Sequence, residues 1–165
     1  MASFTARHDF DHPPAEVAGA MTDPEFVASL RLPDLEAPEV VEHHRDGSGS
    51  SIRARFRFTG RLDPIARRIL GNDRISWVQE LHVDAANGHG TLAVIPDVHP
   101  DRMKFAGGYD LEETVHGTVR KMRGELSIKV PVISRCAEQH ILPGLLRRID
   151  LEADALRDWL ARAQR

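Results

Sequence analysis

The sequence predicts an α+β fold in which a curved antiparallel sheet of about seven strands wraps around one long C-terminal helix. Apolar and polar residues alternate with period two in a series of segments, which indicates half-buried strands. Short turns join most of these segments, so neighbouring strands should run antiparallel as a meander. From residue 142 onward the apolar residues recur at helical spacing, and this broad stripe needs the sheet as its partner.

The first predicted strand is followed by two short helices. Phe4, His8 and Phe10 lie on one face of a strand whose other face is polar. Pro14 then favours the start of one helix and Pro24 the start of a second, because proline suits the first turn of a helix.

The middle of the chain carries the remaining strands, predicted at residues 39–45, 52–58, 75–83 and 91–95, with a final hairpin at 103–114 and 118–130. Arg53, Arg55 and Arg57 lie on the polar face of the second of these. They indicate either an anion site or a solvated outer face, and the outer face is favoured. Residues 60–71 interrupt the strand series with a helical start at Asp63, and this long connection is the best candidate for a lid.

The terminal helix is predicted to be the main core element. Its apolar stripe comprises Leu142, Leu145, Leu146, Ile149, Ala153, Leu156, Leu160 and Ala163. The charged residues predicted to point away from the sheet are Arg147, Arg148, Asp150, Asp154, Asp158 and Arg162. Pro143 lacks a backbone donor and is predicted to kink or split the helix.

Composition limits the classes of function. Hydrophobic residues make up 41% and charged residues 28% of the chain, as in an ordinary globular domain, so residues 1–165 are expected to form one domain. The net charge of −3 provides no basic field, so we expect neither a nucleic-acid partner nor stable membrane insertion. A single cysteine, Cys136, and the lack of an apolar signal segment favour the cytoplasm. The oligomeric state is left open.

No residue pattern predicts a metal site, a cofactor or a catalytic group. Cys136 and His140 are four residues apart, but two ligands alone are a weak signal. More informative are His8, Gln79 and Glu113, which interrupt apolar faces. A buried polar group must be hydrogen-bonded, so each needs either an internal partner or a ligand.

Several segments resemble the START-like superfamily, also called the helix-grip or polyketide cyclase-like fold. The resembling segments are residues 10–17, 22–26 and 156–160. More narrowly, residues 129–133, Glu138 and residues 158–160 are similar to a bacterial family of uncharacterised START-like proteins. The resemblance implies an apolar cavity for a lipid, an isoprenoid, a polyketide or a similar ligand, and it supplies no catalytic residues.

The expected site is a cavity between the sheet and the terminal helix. Its predicted apolar lining is Phe10, Phe56, Phe58, Trp77, Leu81, Tyr109, Leu126, Leu142 and Leu146, with polar contacts from His8, Gln79 and Glu113. The leading interpretation is non-covalent binding of a hydrophobic small molecule. The alternatives are a cyclase, aromatase or dehydratase that uses His8 or Glu113 as an acid or base, and a module that receives a partner segment.

Overall fold

The computed structural model describes residues 1–71 and 74–163, without the side chain of Leu70. The elements follow the predicted order. The strands are β1 (Ala2–Phe10), β2 (Glu39–Asp46), β3 (Gly49–Arg57), β4 (Ser76–Asp84), β5 (His89–Pro96), β6 (Met103–Thr114) and β7 (Gly117–Ile128). The helices are α1 (Pro14–Met21), α2 (Pro24–Ser29), α3 (Pro64–Leu70) and α4 (Ser134–Ala163).

The seven strands form one antiparallel sheet in the order β1-β7-β6-β5-β4-β3-β2. Strands β2 to β7 are neighbours in sequence order, while β1 pairs with β7, from Ala2 opposite Leu126 to Phe10 opposite Thr118. Gly88 has a φ of 70°, which suits the predicted turn between β4 and β5. The predicted helix-grip class, with its seven strands and long terminal helix, is confirmed.

Helix α4 packs across one face of the sheet. Ile149, Ala153, Leu156 and Leu160 are buried there, which confirms the centre of the predicted stripe. Ala163 is exposed, because the last turn of α4 extends beyond the apolar surface that covers the rest. Helices α1 and α2 add Val17 and Phe26 to the same core.

Pro143 does not split the terminal helix. Helix α4 runs without interruption from Ser134 to Ala163, so the predicted split is wrong, and a kink at Pro143 stays a prediction. The proline removes one backbone hydrogen bond, while the turns on both sides keep theirs and the apolar stripe holds α4 against the core.

The arginines of β3 lie on the outer face of the sheet, where carboxylates of other segments pair with them. Arg53 contacts Glu80 at 3.0 Å and Arg55 contacts Asp97 at 3.1 Å. Their surroundings are those of a solvated surface, as the favoured interpretation of this face expected.

Candidate functional site

A cavity of about 480 Å³ lies at one end of the space between α4 and the sheet. It is bounded by the α2–β2 connection, the end of β3, α3, the start of β4 and the first half of α4. Most of its wall is apolar, and these residues are Leu32, Pro33, Leu35, Phe58, Leu62, Ala66, Ile75, Trp77, Val94, Pro96, Met103, Ile141, Gly144, Leu145 and Leu151. The polar residues of the wall are Asp34, Arg61, Asp63, Ser76, His140, Arg147 and Arg148.

Helix α3 forms one wall, and its N-terminus is tied to α4. Oδ1 of Asp63 accepts the backbone N–H of Ala66 at 2.9 Å and so caps α3. Oδ2 of Asp63 lies 3.0 Å from Nε2 of His140 on α4. Partial burial raises the pKa of Asp63, but the hydrogen bonds from Ala66 and His140 outweigh this effect and bring the pKa below its ordinary value. The segment proposed as a lid therefore rests against α4 beside the cavity.

The most unusual residue of the wall is Arg148, which is only 8% exposed. Its Nη2 donates to Oε1 of Gln79 at 2.7 Å. Its Cζ lies 5.5 Å from the ring centroid of Phe56 and 5.3 Å from that of Trp77, so it stacks over both aromatic rings. Burial lowers the pKa of Arg148, yet a guanidinium remains charged at neutral pH.

Several donors beside the cavity have no acceptor. Nε and Nη1 of Arg148 and Nε1 of Trp77 are buried without a hydrogen-bond partner among the residues described. Oε1 of Glu152 lies 3.7 Å from Nε of Arg148, which is an ion-pair distance but too long for a hydrogen bond, and this oxygen is also buried without a hydrogen-bond partner among the residues described. Unsatisfied buried donors are rare in folded proteins, so this wall suits a ligand that accepts hydrogen bonds.

A second buried guanidinium, Arg120, lies between α4 and the sheet beside a small void, and two of its three nitrogens have partners. Its Nη2 donates to Nδ1 of His8 at 3.1 Å, and its Cζ lies 5.5 Å from the ring centroid of Phe10. Because arginine only donates, the neutral His8 ring carries its proton on Nε2, which donates to Oδ1 of Asp150 at 2.7 Å. Burial lowers the pKa of His8, with Arg120 acting in the same direction and Asp150 against it.

A family model described as "Protein of unknown function (DUF2505)" matches residues 5–160. The chain belongs to this family. No curated protein matches it.

Solved structures show the fold of this DUF2505 protein. Protein TTHA0849 from Thermus thermophilus is 16% identical, with a TM-score of 0.70 over 99% of this chain and 100% of that chain. The ZhuI aromatase/cyclase from Streptomyces sp. R1128 is 13% identical, with a TM-score of 0.65 over 99% of this chain and 94% of that chain. Ara h 8.0201 is 14% identical, with a TM-score of 0.66 over 98% of both chains. These likenesses bear out the resemblance to the START-like, helix-grip fold.

The structure brings together only part of the predicted site. Phe58 and Trp77 line the cavity of the DUF2505 protein, and Gln79 reaches its wall through Arg148. Phe56 is fully buried behind that guanidinium and stacks on Trp77, with their centroids 6.0 Å apart.

The other predicted apolar residues lie elsewhere in the core. Phe10, Tyr109 and Leu126 are buried, and the Tyr109 hydroxyl donates to the carbonyl of His82 at 3.0 Å. Leu142 and Leu146 are half-buried against the core rather than in the cavity wall. Leu81 borders a separate void of about 30 Å³, together with Gln79, Arg120 and Glu152.

The two predicted acid–base groups lie outside the cavity wall. His8 is buried, and both of its ring nitrogens are engaged by Arg120 and Asp150. Glu113 is exposed near the β6–β7 turn, opposite Thr118. The apolar face was therefore predicted to extend too far along β6. Glu113 continues the alternation of Tyr109 and Leu111, but it lies beyond the covered part of the strand.

Sequence reasoning missed Arg148, whose predicted outward orientation is wrong. The residue belongs to the helical row of Ile141, Leu145 and Glu152, at steps of four, three and four along α4. That spacing is visible in the sequence, but the charge of the side chain favoured an exposed position. Aromatic rings and Gln79 make the buried position tolerable for this guanidinium.

The described residues contain no group of three or more His, Cys, Asp or Glu side chains arranged to hold a metal ion. Nor does any helix in this part of the chain have the length and hydropathy needed to cross a membrane.

Proposed function

We propose that this DUF2505 protein binds a hydrophobic small molecule non-covalently in the cavity between α3, α4 and the sheet. The supporting observation is the cavity of about 480 Å³ with its mainly apolar wall. Ligand sites in proteins commonly enclose roughly 300–1,000 Å³ and combine apolar walls with a few polar groups. Lipids, isoprenoids and polyketides are the classes that fit this description.

The arrangement favours binding over the two alternatives. The predicted cyclase-type reaction would use His8 or Glu113 as its acid or base, and neither lines the cavity. Asp63 and His140, which do line it, contact each other. A pure interaction module would have this space filled by its own side chains. We also infer action in the cytoplasm, where the exposed thiol of Cys136 would stay reduced.

Helix α3 would act as the gate. Its cap residue Asp63 meets His140 beside the cavity, and both side chains are partly exposed. A single exposed polar contact contributes little to stability, so this one can open without unfolding the domain.

Gly144 provides a direct test. It lines the cavity, and a Cβ added there would have no heavy atom within 4 Å. Gly144→Leu should project a side chain into the cavity. The higher helix propensity of leucine should at the same time stabilise α4 by about 1 kcal/mol. Gly47, in the β2–β3 turn, is equally free of close neighbours, so Gly47→Leu is the matched control.

The measurement is fluorescence titration with Nile red, a neutral apolar dye. The wild type and Gly47→Leu should bind the dye, whereas Gly144→Leu should bind it at least about tenfold more weakly. Absence of binding to the wild type, or equal binding to all three proteins, would rule out this cavity as the site.

A further inference from the structure

Two residues of the cavity wall, Arg148 and Trp77, carry buried donors that have no acceptor among the described residues. Arg148 uses Nη2 on Gln79, while its Nε and Nη1 find no partner in the described part of the chain. Nε1 of Trp77 is likewise unpartnered there. The Arg148 guanidinium lies over the Trp77 ring, so these donors belong to one region of the wall.

The charges around this region do not balance. Arg148 and Arg120 are both buried. The carboxylate of Glu152 lies near each of them, and that of Asp150 lies near Arg120 as well. Asp150, the partner of His8, is 66% exposed in its side chain and is therefore hydrated. Two buried guanidiniums thus share one mostly buried carboxylate among the described residues, which leaves an excess of one positive charge. Such a charge is unfavourable in a protein interior unless something neutralises it.

We infer that the cavity takes an amphipathic monocarboxylate whose carboxylate binds Arg148 and Trp77 and whose apolar chain extends along the cavity. This inference rests on the proposed function and specifies its ligand. A carboxylate brings one negative charge, which matches the excess. Its two oxygens also suit the fork of donors on a guanidinium and the neighbouring indole N–H.

Other anions fit less well. A phosphate monoester carries about 1.5 to 2 negative charges and three acceptor oxygens, more than this wall neutralises or satisfies. A neutral ligand would leave the excess positive charge of the two buried guanidiniums in place. The apolar remainder of the wall, including Leu145 and Phe58, suits a hydrocarbon chain.

The test compares ligands that differ only in their head group. Decanoate, decanol and decyl phosphate would each be titrated against protein loaded with Nile red. The wild type should prefer decanoate over decanol by at least about tenfold, equivalent to about 1.4 kcal/mol. Decyl phosphate should bind more weakly than decanoate.

Two variants locate the head group. Arg148→Met should abolish the preference for decanoate over decanol. Trp77→Phe keeps an aromatic ring and removes the N–H, so it should reduce the ratio of decanoate to decanol affinity severalfold, whatever it does to the affinity for decanol. Arg162→Met removes an exposed guanidinium from the same helix and should keep the preference, which controls for net charge.

The outcomes separate this inference from the proposed function. Equal affinity for decanoate and decanol, with Nile red still bound, would overturn the carboxylate assignment alone. Tighter binding of decyl phosphate, or an equal loss in Arg162→Met, would also overturn it. Failure to bind Nile red would remove both proposals. If Arg148→Met does not fold, an unchanged preference in Trp77→Phe would overturn the inference.

Discussion

The two ends of the space between α4 and the sheet are built differently. At the closed end, which comprises Ile149, Leu156 and Leu160, α4 packs directly against the sheet. At the open end, which comprises Ile141, Leu145 and Arg148, the same helix faces the cavity. Each end contains one buried guanidinium, so the protein provides its own comparison of the two surroundings.

The difference lies in the partners of the two guanidiniums. Arg120 at the closed end contacts His8, Phe10 and Met21, and only its Nε lacks a partner in the described residues. Arg148 at the open end has one hydrogen bond, to Gln79, and two nitrogens without any in that same part of the chain. A buried charge whose surroundings are largely satisfied supports the fold, whereas one with free donors in a cavity wall is suited to bind a ligand.

The largest expected effect comes from shortening a leucine at each end. Leu156→Ala removes a side chain that is 1% exposed and should lower the free energy of unfolding by about 2–5 kcal/mol. Leu145→Ala widens an existing cavity, so it should have a clearly smaller effect. Denaturant unfolding measures both, and equal losses would contradict the division into a closed and an open end.

Removing each guanidinium sharpens the comparison. Arg120→Met leaves the buried Nδ1 of His8 without its donor and should destabilise by about 1–3 kcal/mol. Arg148→Met leaves Oε1 of Gln79 without its hydrogen-bond donor, but it also removes a poorly compensated buried charge. Its free energy of unfolding should stay within about 1 kcal/mol of wild type or rise. A loss for Arg148→Met as large as that for Arg120→Met would show that both arginines are structural.

The closed end should also respond to pH through His8. The pKa of His8 lies below its ordinary value of 6.5, so the unfolded chain binds the proton more readily than the folded one. The contribution of neutral His8 is complete above pH 6.5 and is lost as the pH falls from there toward the folded pKa. As the pH falls over this range, the unfolding free energy of His8→Gln should decline less than that of the wild type. His116→Gln, in an exposed turn, is the control, and identical slopes for the wild type and His8→Gln would refute the effect.

The smallest effect is expected on the outer face of α4. Asp154 is exposed and pairs with Arg157 at 2.7 Å on the helix surface. Asp154→Ala should change the free energy of unfolding by less than about 0.5 kcal/mol. A loss close to that of Leu156→Ala would mean that the faces of α4 are wrongly assigned.

Most of the fold was accessible to sequence reasoning because it depends on repeated local patterns. Alternation in β3 and β7 predicted strands with one buried face, and the spacing of Ile149, Leu156 and Leu160 predicted the packed face of α4. The cap at Asp63 followed from residue type and position alone. Each of these features is decided within a few residues of chain.

The site was less accessible because it depends on how distant elements meet. The sequence marks Phe58, Leu126 and Tyr109 alike as apolar, but only the three-dimensional arrangement puts Phe58 in the cavity wall and the other two deep in the core. The arginines of β3 left an anion site open beside the favoured solvated face, and outer carboxylates pair with them. The buried guanidinium with two nitrogens that lack a hydrogen bond among the described residues belongs to Arg148. Its charge alone would favour an exposed position on the helix.

The pairing of β1 with β7 has a consequence for the order of folding. Strands β2 to β7 can join successively as the chain is made, because each pairs with the next in sequence. Strand β1 must wait for β7, and this long-range closure is slow because the intervening chain loses entropy. Trp77 lies on β4 and Arg148 on α4, which follows β7. The cavity wall therefore forms late, after the sheet that supports it, and a nascent chain without α4 leaves its apolar face uncovered and prone to aggregate.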